Sequence, residues 1–163
     1  MSARVGIIMG SDSDLPLMQK SADVLKEFDI PFEMSILSAH RTPEEAIDYA
    51  RTAADRGLDI IIAGAGAAAH LPGVIAAGTI LPVIGVPINA TALNGTDALY
   101  AIVQMPSGIP VASVGIDGTK NAALLAVEML AIGDDSLKQK LLQYKEKMKD
   151  AVLMKNTKLQ ASL

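Results

Sequence analysis

The sequence predicts an α/β fold: a three-layer, doubly wound parallel sheet of about five strands. Three observations carry this. Short apolar runs alternate with helical segments along the chain. The apolar runs lack polar alternation, as expected of strands buried on both faces of a parallel sheet. Turn and cap signals separate the segments.

The elements follow in order. Residues 4–9 (RVGIIM) read as a buried strand, and Gly10-Ser11-Asp12-Ser13-Asp14 as a turn. A helix over about 14–28 places Met18, Ala22, Leu25 and Phe28 on one face, with Pro16 acceptable in its first turn. Strand two is about 31–37. Thr42-Pro43-Glu44-Glu45 reads as a capping box with proline at the first helical position, and Gly57 as the C-cap of that helix. Residues 59–63 (DIIIA) form strand three. A short helix over about 71–77 leads to strand four at 82–86. A polar loop, 89–96, precedes a helix over 97–104, and strand five is 110–114. A helix over 119–132 is apolar on nearly every side. The last helix, about 134–154, carries one stripe of Leu137, Leu141, Tyr144, Met148 and Val152. That stripe fits packing on a neighbouring subunit or on its own domain. The chain reads as a single domain, 1–163, with 134–163 as a C-terminal helical extension.

Composition bounds the function. The chain has 163 residues, 50% hydrophobic and 20% charged, enough for one folded domain with a real core. A net charge of −4 without a basic cluster argues against nucleic acid and anionic membranes as partners. The absence of cysteine excludes disulfides, thiolate catalysis and Cys-based metal sites. The N-terminus lacks the layout of a signal peptide, so a cytoplasmic protein is expected. Between Ile60 and Ile116 the only Asp, Glu, Lys or Arg is Asp97. Glycines and prolines cut this stretch into pieces too short to span a membrane as helices. So much small, apolar surface suggests burial between subunits.

Three loops fall at the carboxyl edge of the predicted sheet, where such folds bind ligands. Gly10-Ser11-Asp12-Ser13-Asp14 offers N–H groups and hydroxyls for a phosphate and a carboxylate for ribose, although taken alone a helix cap by Ser13 or Asp14 is the better explanation. Ser38-Ala39-His40-Arg41-Thr42-Pro43 places one of only two histidines beside an arginine. Histidine moves protons near neutral pH, and arginine grips phosphate or carboxylate with paired hydrogen bonds. An ordinary surface or core histidine is the alternative. Gly64-Ala65-Gly66-Ala67-Ala68-Ala69-His70 formally matches a dinucleotide fingerprint, but it follows the third strand and lacks the later ribose-binding acid. Its small residues suit close helix–sheet packing or a pocket for a small carboxylate or carbon dioxide. Other chemistries fit poorly. Ala63-Gly64 stands where a phosphorylation receiver needs its acceptor aspartate. Two Phe, three Tyr and no Trp are few for stacking a flavin. No metal-ligand spacing appears.

Taken together, Gly10-Ser11-Asp12-Ser13-Asp14, Ser38-Ala39-His40-Arg41-Thr42-Pro43, Ala63-Gly64-Ala65-Gly66, Ala68-Ala69-His70-Leu71-Pro72-Gly73 and Ile102-Val103-Gln104-Met105-Pro106 resemble the class I carboxyaminoimidazole ribonucleotide mutases of purine biosynthesis. The resemblance runs from about residue 4 to 132. His70 before Leu-Pro-Gly favours the mutase over the related carboxylase that uses free carbon dioxide. A non-catalytic nucleotide-binding module is the alternative outside enzymes. The resemblance implies a flavodoxin-like sheet and an isomerase that moves a carboxyl group from the exocyclic nitrogen to the neighbouring ring carbon, without metal, ATP, biotin or flavin. It implies that His40 is the general acid/base. Ser11, Ser38 and Arg41 would hold the nucleotide's phosphate, and Asp14 its ribose. Ser13, Gly64, Gly66, Ala67, His70 and Leu71 complete the substrate-binding set, with His70 either lining the site or bracing its loop. It also implies a homo-octamer with shared active sites.

Three departures from that family stand out. Ala67 replaces a usual glycine, so its methyl narrows the pocket or the backbone there suits alanine. Leu15 replaces a common tryptophan. Residues 113–120 form a shorter loop than usual.

Overall fold

The computed structural model describes residues 4–163. They divide into two compact units, 4–126 and 127–163.

The first unit carries a five-stranded sheet. Its strands are β1 (Val5–Met9), β2 (Phe32–Ile36), β3 (Ile60–Gly66), β4 (Val83–Ile88) and β5 (Ala112–Ser113). Their order is β2-β1-β3-β4-β5, and every neighbouring pair is parallel. The order reverses between β1 and β3, the switch point at which doubly wound sheets open a crevice. The helices of this unit are α1 (Leu15–Glu27), α2 (Pro43–Thr52), α3 (Leu71–Gly78), α4 (Thr96–Val103) and the first part of α5 (Thr119–Ala131).

Alternation along the central strands divides their side chains between two faces. Ile8, Ile61, Ala63 and Ala65 join a buried cluster with Ala46 and Ala50 of α2, Ile75 of α3 and Ile102 of α4. On the opposite face, a methyl on Gly64 would stand 2.5 Å from Met18 Sδ of α1 and 3.1 Å from Ile88. The Ser21 hydroxyl donates to the Thr119 carbonyl at 2.8 Å, joining α1 to the start of α5. Both faces of β1, β3 and β4 are therefore covered, which explains their unbroken apolar sequences.

Several boundaries differ from the sequence reading. β3 and β4 run to Gly66 and Ile88, past the expected ends at 63 and 86. β5 has two residues in place of five. A 3-10 turn at Asp12–Asp14 precedes α1. The capping box at Thr42 does not form: the Thr42 hydroxyl accepts from the Ser38 N–H at 2.9 Å and donates to the Ser38 carbonyl at 3.2 Å. Regular α2 stops at Thr52. Gly57, at φ 90°, closes the turn that follows, where Leu58 N–H reaches the Ala53 carbonyl and Gly57 N–H that of Ala54. This is the Schellman pattern.

In the second unit, α5 ends and α6 (Asp135–Gln160) begins. Asp134 caps α6 by accepting the Leu137 N–H at 3.1 Å. Lys145 pairs with Glu128 at 3.3 Å. α6 extends six residues beyond the expected end at 154, and Met148 and Val152 of the predicted stripe are exposed. Among the described residues, no helix is long and apolar enough to cross a membrane.

Candidate active site

The strand ends of the first unit bring four loops to one edge. A cavity of about 330 Å³ opens between them. The loop after β1 contributes Gly10, Ser11, Ser13 and Asp14, and the loop after β2 contributes Ser38, Ala39, His40 and Arg41. The far wall consists of Ala65, Gly66, Ala67, Ala68 and Leu71, with Ala90 from the loop after β4. An adjoining cavity of about 410 Å³ shares Gly10, Ser11, Ser38 and Arg41, and adds Asp12, Ile36 and Thr42. Two residues of the expected set lie off this lining. Gly64 sits within β3 beneath Met18, where its missing side chain serves packing. His70 touches the site through His40.

Each loop is fixed by its own polar groups. Ser11 caps the 3-10 turn by accepting the Ser13 N–H at 3.3 Å. Thr42 closes the 38–42 loop through both hydrogen bonds to Ser38, and Ser38 Oγ accepts the Arg41 N–H at 3.1 Å. Arg41 Nη2 donates to the Gly10 carbonyl at 2.8 Å, joining the first two loops. The guanidinium is thus oriented before any ligand arrives, with donors to spare for an anion.

His40 Nε2 lies 2.8 Å from His70 Nδ1, and the rings meet edge to face with centroids 4.9 Å apart. One ring nitrogen donates and the other accepts, so this contact ties the tautomer of one imidazole to that of the other. The sequence separates the two histidines by thirty positions, and only the β1–β3 switch point brings them together.

Asp14 is buried at the cavity wall. Burial raises its carboxyl above the ordinary 3.8, against the lowering effect of the Ser13 hydroxyl and a backbone hydrogen bond from the Ser11 turn. Arg41 lowers it more weakly, and Asp12 adds to the rise. Ala67 adopts φ 53°, the left-handed region that costs an alanine about 1–2 kcal/mol. The expectation that the backbone there suits alanine therefore fails, and the residue lines the cavity. Leu15, at the start of α1, is 41% exposed. Ala90 was not evident from the sequence. Its position just past a strand end, at the edge where the other loops gather, is the signal that points to it. Among the described residues, no group of three or more His, Cys, Asp or Glu side chains is arranged to hold a metal ion.

Residues 4–151 match the family model described as AIR carboxylase. The N5-carboxyaminoimidazole ribonucleotide mutase of Pyrococcus abyssi is 64% identical over 146 residues, covering 90% of this chain and 84% of the relative. That of Thermotoga maritima is 55% identical over 157 residues, covering 96% and 92%. The crystal structure of Treponema denticola PurE superposes with a TM-score of 0.86 at 32% identity, covering 96% of this chain and 98% of that one. The family model spans nearly the whole chain, and the chain belongs to the AIR carboxylase family.

Proposed function

We propose that this chain is an N5-carboxyaminoimidazole ribonucleotide mutase, an isomerase of purine biosynthesis that forms 4-carboxy-5-aminoimidazole ribonucleotide. The observation that carries the reading is the pairing of an oriented Arg41 with a hydrogen-bonded His40 on one side of a cavity whose other wall is alanine and glycine.

The chemistry maps onto that asymmetry. Arg41, Ser38 and Ser11 hold the phosphate, and Asp14 the ribose. This grip, remote from the reacting atoms, supplies positioning energy. The exocyclic N–C bond breaks and releases carbon dioxide against the Gly66–Ala68 wall, which offers no competing nucleophile. The ring carbon then attacks the carbon dioxide, forms the C–C bond and loses its proton. His40 gives a proton to the exocyclic nitrogen and takes one from the ring carbon, so the imidazole ends each turnover as it began. In this reading His70 orients the His40 ring through their 2.8 Å contact.

The test supplies either carboxyaminoimidazole ribonucleotide, or aminoimidazole ribonucleotide with bicarbonate, and follows the carbon-carboxylated product. Turnover of the first alone supports the mutase. Efficient turnover of the second would make the chain a carboxylase, and nucleotide binding without turnover a binding module. His40→Asn is expected to bind nucleotide normally and to lose about 10²–10⁴-fold in kcat. Activity near wild type would remove His40 from the proton-transfer role.

The reading extends to assembly and place. It places the protein in the cytoplasm as a homo-octamer with shared active sites; burial between subunits is supported by the nearly uncharged 60–116 stretch and by the exposed apolar side chains Leu93, Tyr100, Val103, Met148 and Val152. α6 would then pack on a neighbouring subunit. Sedimentation at micromolar concentration is expected to give an octamer, and a monomer would refute it.

A further inference from the structure

The shortened segment after β5 touches the site indirectly. β5 ends at Ser113, yet hydrogen bonding along the outer edge of β4 continues beyond it. Val114 N–H donates to the Gly85 carbonyl at 3.3 Å, and Asp117 N–H to the Pro87 carbonyl at 2.8 Å. The next group on that edge is the Asn89 N–H, which donates to Asp117 Oδ1 at 2.9 Å. Asp117 has φ 58°, so its backbone has turned away from the extended path. Its side-chain oxygen replaces the main-chain carbonyl that a longer strand would have supplied.

The clamp acts one residue from the cavity. Ala90 follows Asn89 and lines the cavity with Gly66. A methyl on Gly66 would lie 2.6 Å from the Ala90 methyl, so the two residues are in close contact. Gly66 leads into Ala67, the left-handed residue of the alanine wall. On the same loop, Ile116 fills the space over Gly95, where an added methyl would stand 2.6 Å from Ile116 Cγ2. The segment 114–118 therefore backs the 89–95 loop from behind.

We propose that Asp117 is a positioning residue for the reaction: through the Asn89 N–H it holds Ala90 against Gly66 and so sets the wall that faces the migrating carboxyl group. This rests on the reading of the cavity as the mutase site. It differs from a purely structural role because the phosphate grip of Arg41, Ser38 and Ser11 lies on other loops and is untouched.

Three variants separate the effects. Asp117→Asn keeps an oxygen acceptor and tolerates positive φ. Asp117→Gly suits the backbone but removes the acceptor. Asp117→Ser, whose shorter side chain does not reach Asn89, replaces it should the glycine variant fail to fold. Asp117→Asn is expected to match wild type in kcat, KM and Tm. Asp117→Gly is expected to keep its Tm and to change KM less than about threefold, but to lose about tenfold or more in kcat, since misplacing a reacting group by ~1 Å can cost ~10²-fold. Calorimetry gives a readout that needs no turnover: affinity for 4-carboxy-5-aminoimidazole ribonucleotide should fall about tenfold in the glycine variant, and affinity for ribose 5-phosphate should not change. If wild type itself is inactive, the mutase reading fails and calorimetry still judges the clamp. A glycine or serine variant with wild-type kcat and wild-type preference for the carboxylated nucleotide would overturn the proposal, as would an asparagine variant as impaired as glycine.

Discussion

At the scale of single residues, the cavity wall holds two local costs. One is Asp14, whose burial raises its carboxyl above 3.8. Ionising it therefore costs more in the folded chain than in the unfolded one. The cost is absent below the ordinary value and complete once pH exceeds the raised one, so wild type loses this stability as pH rises. Asp14→Asn should raise Tm at about pH 7, with a gain that shrinks as pH falls towards 4, while weakening nucleotide binding. An equal gain at both pH values would mean that ionisation is not the cause. The other cost is Ala67. Ala67→Gly is expected to stabilise the chain by about 0.5–1 kcal/mol, strain relief exceeding the added flexibility of the unfolded state. Thermal unfolding decides it, and a lower Tm would show that the methyl packs favourably enough to offset its backbone. The sequence made both residues visible as candidates. It did not show that His40 and His70 touch, because that contact depends on how two strands are ordered in the sheet and not on local pattern.

At the scale of elements, strands and helices were legible where apolar runs met strong turn residues. The ends of β3 and β4 were not. Ala63-Gly64-Ala65-Gly66 has little intrinsic strand preference, and its extended form comes from pairing with β4, with Gly66 opposite Ile88. Thr42 had the right neighbours for a capping box, but its hydroxyl is taken by Ser38, a competition that a four-residue pattern does not reveal. β5 lost three of its expected residues because the chain leaves the sheet edge early and lets Asp117 finish the ladder. A tight element contact lies at Gly85, where an added methyl would run into Ile102 of α4, with Val111 at 3.0 Å and Pro72 of α3 at 3.3 Å. Gly85→Ala should cost about 1–3 kcal/mol through overpacking, read as a lower denaturation midpoint with unchanged slope. A neutral result would mean that α4 shifts freely against β4.

At the scale of the molecule, the alternation of strand and helix was enough to anticipate the parallel sheet, and the placing of three loops at one edge was enough to anticipate where the cavity lies. What composition left open was assembly, since exposed apolar side chains name no partner. The proposed octamer predicts that removing residues 134–163 leaves a protein that sediments as a smaller species, and an intact octamer after that truncation would exclude α6 from the interface. The two-residue fifth strand has a further consequence. A sheet edge is normally a template on which a stray extended chain can dock and begin an aggregate. Here that edge offers only Ala112 and Ser113 before the chain turns, and the next groups along β4 are already occupied by Asp117. The opposite edge, β2, carries Glu33, paired with Arg56 at 2.9 Å. The loop that backs the cavity wall thus also leaves little of the β5 edge open to strand addition, so crowding at high concentration should not convert the protein into fibres through that edge.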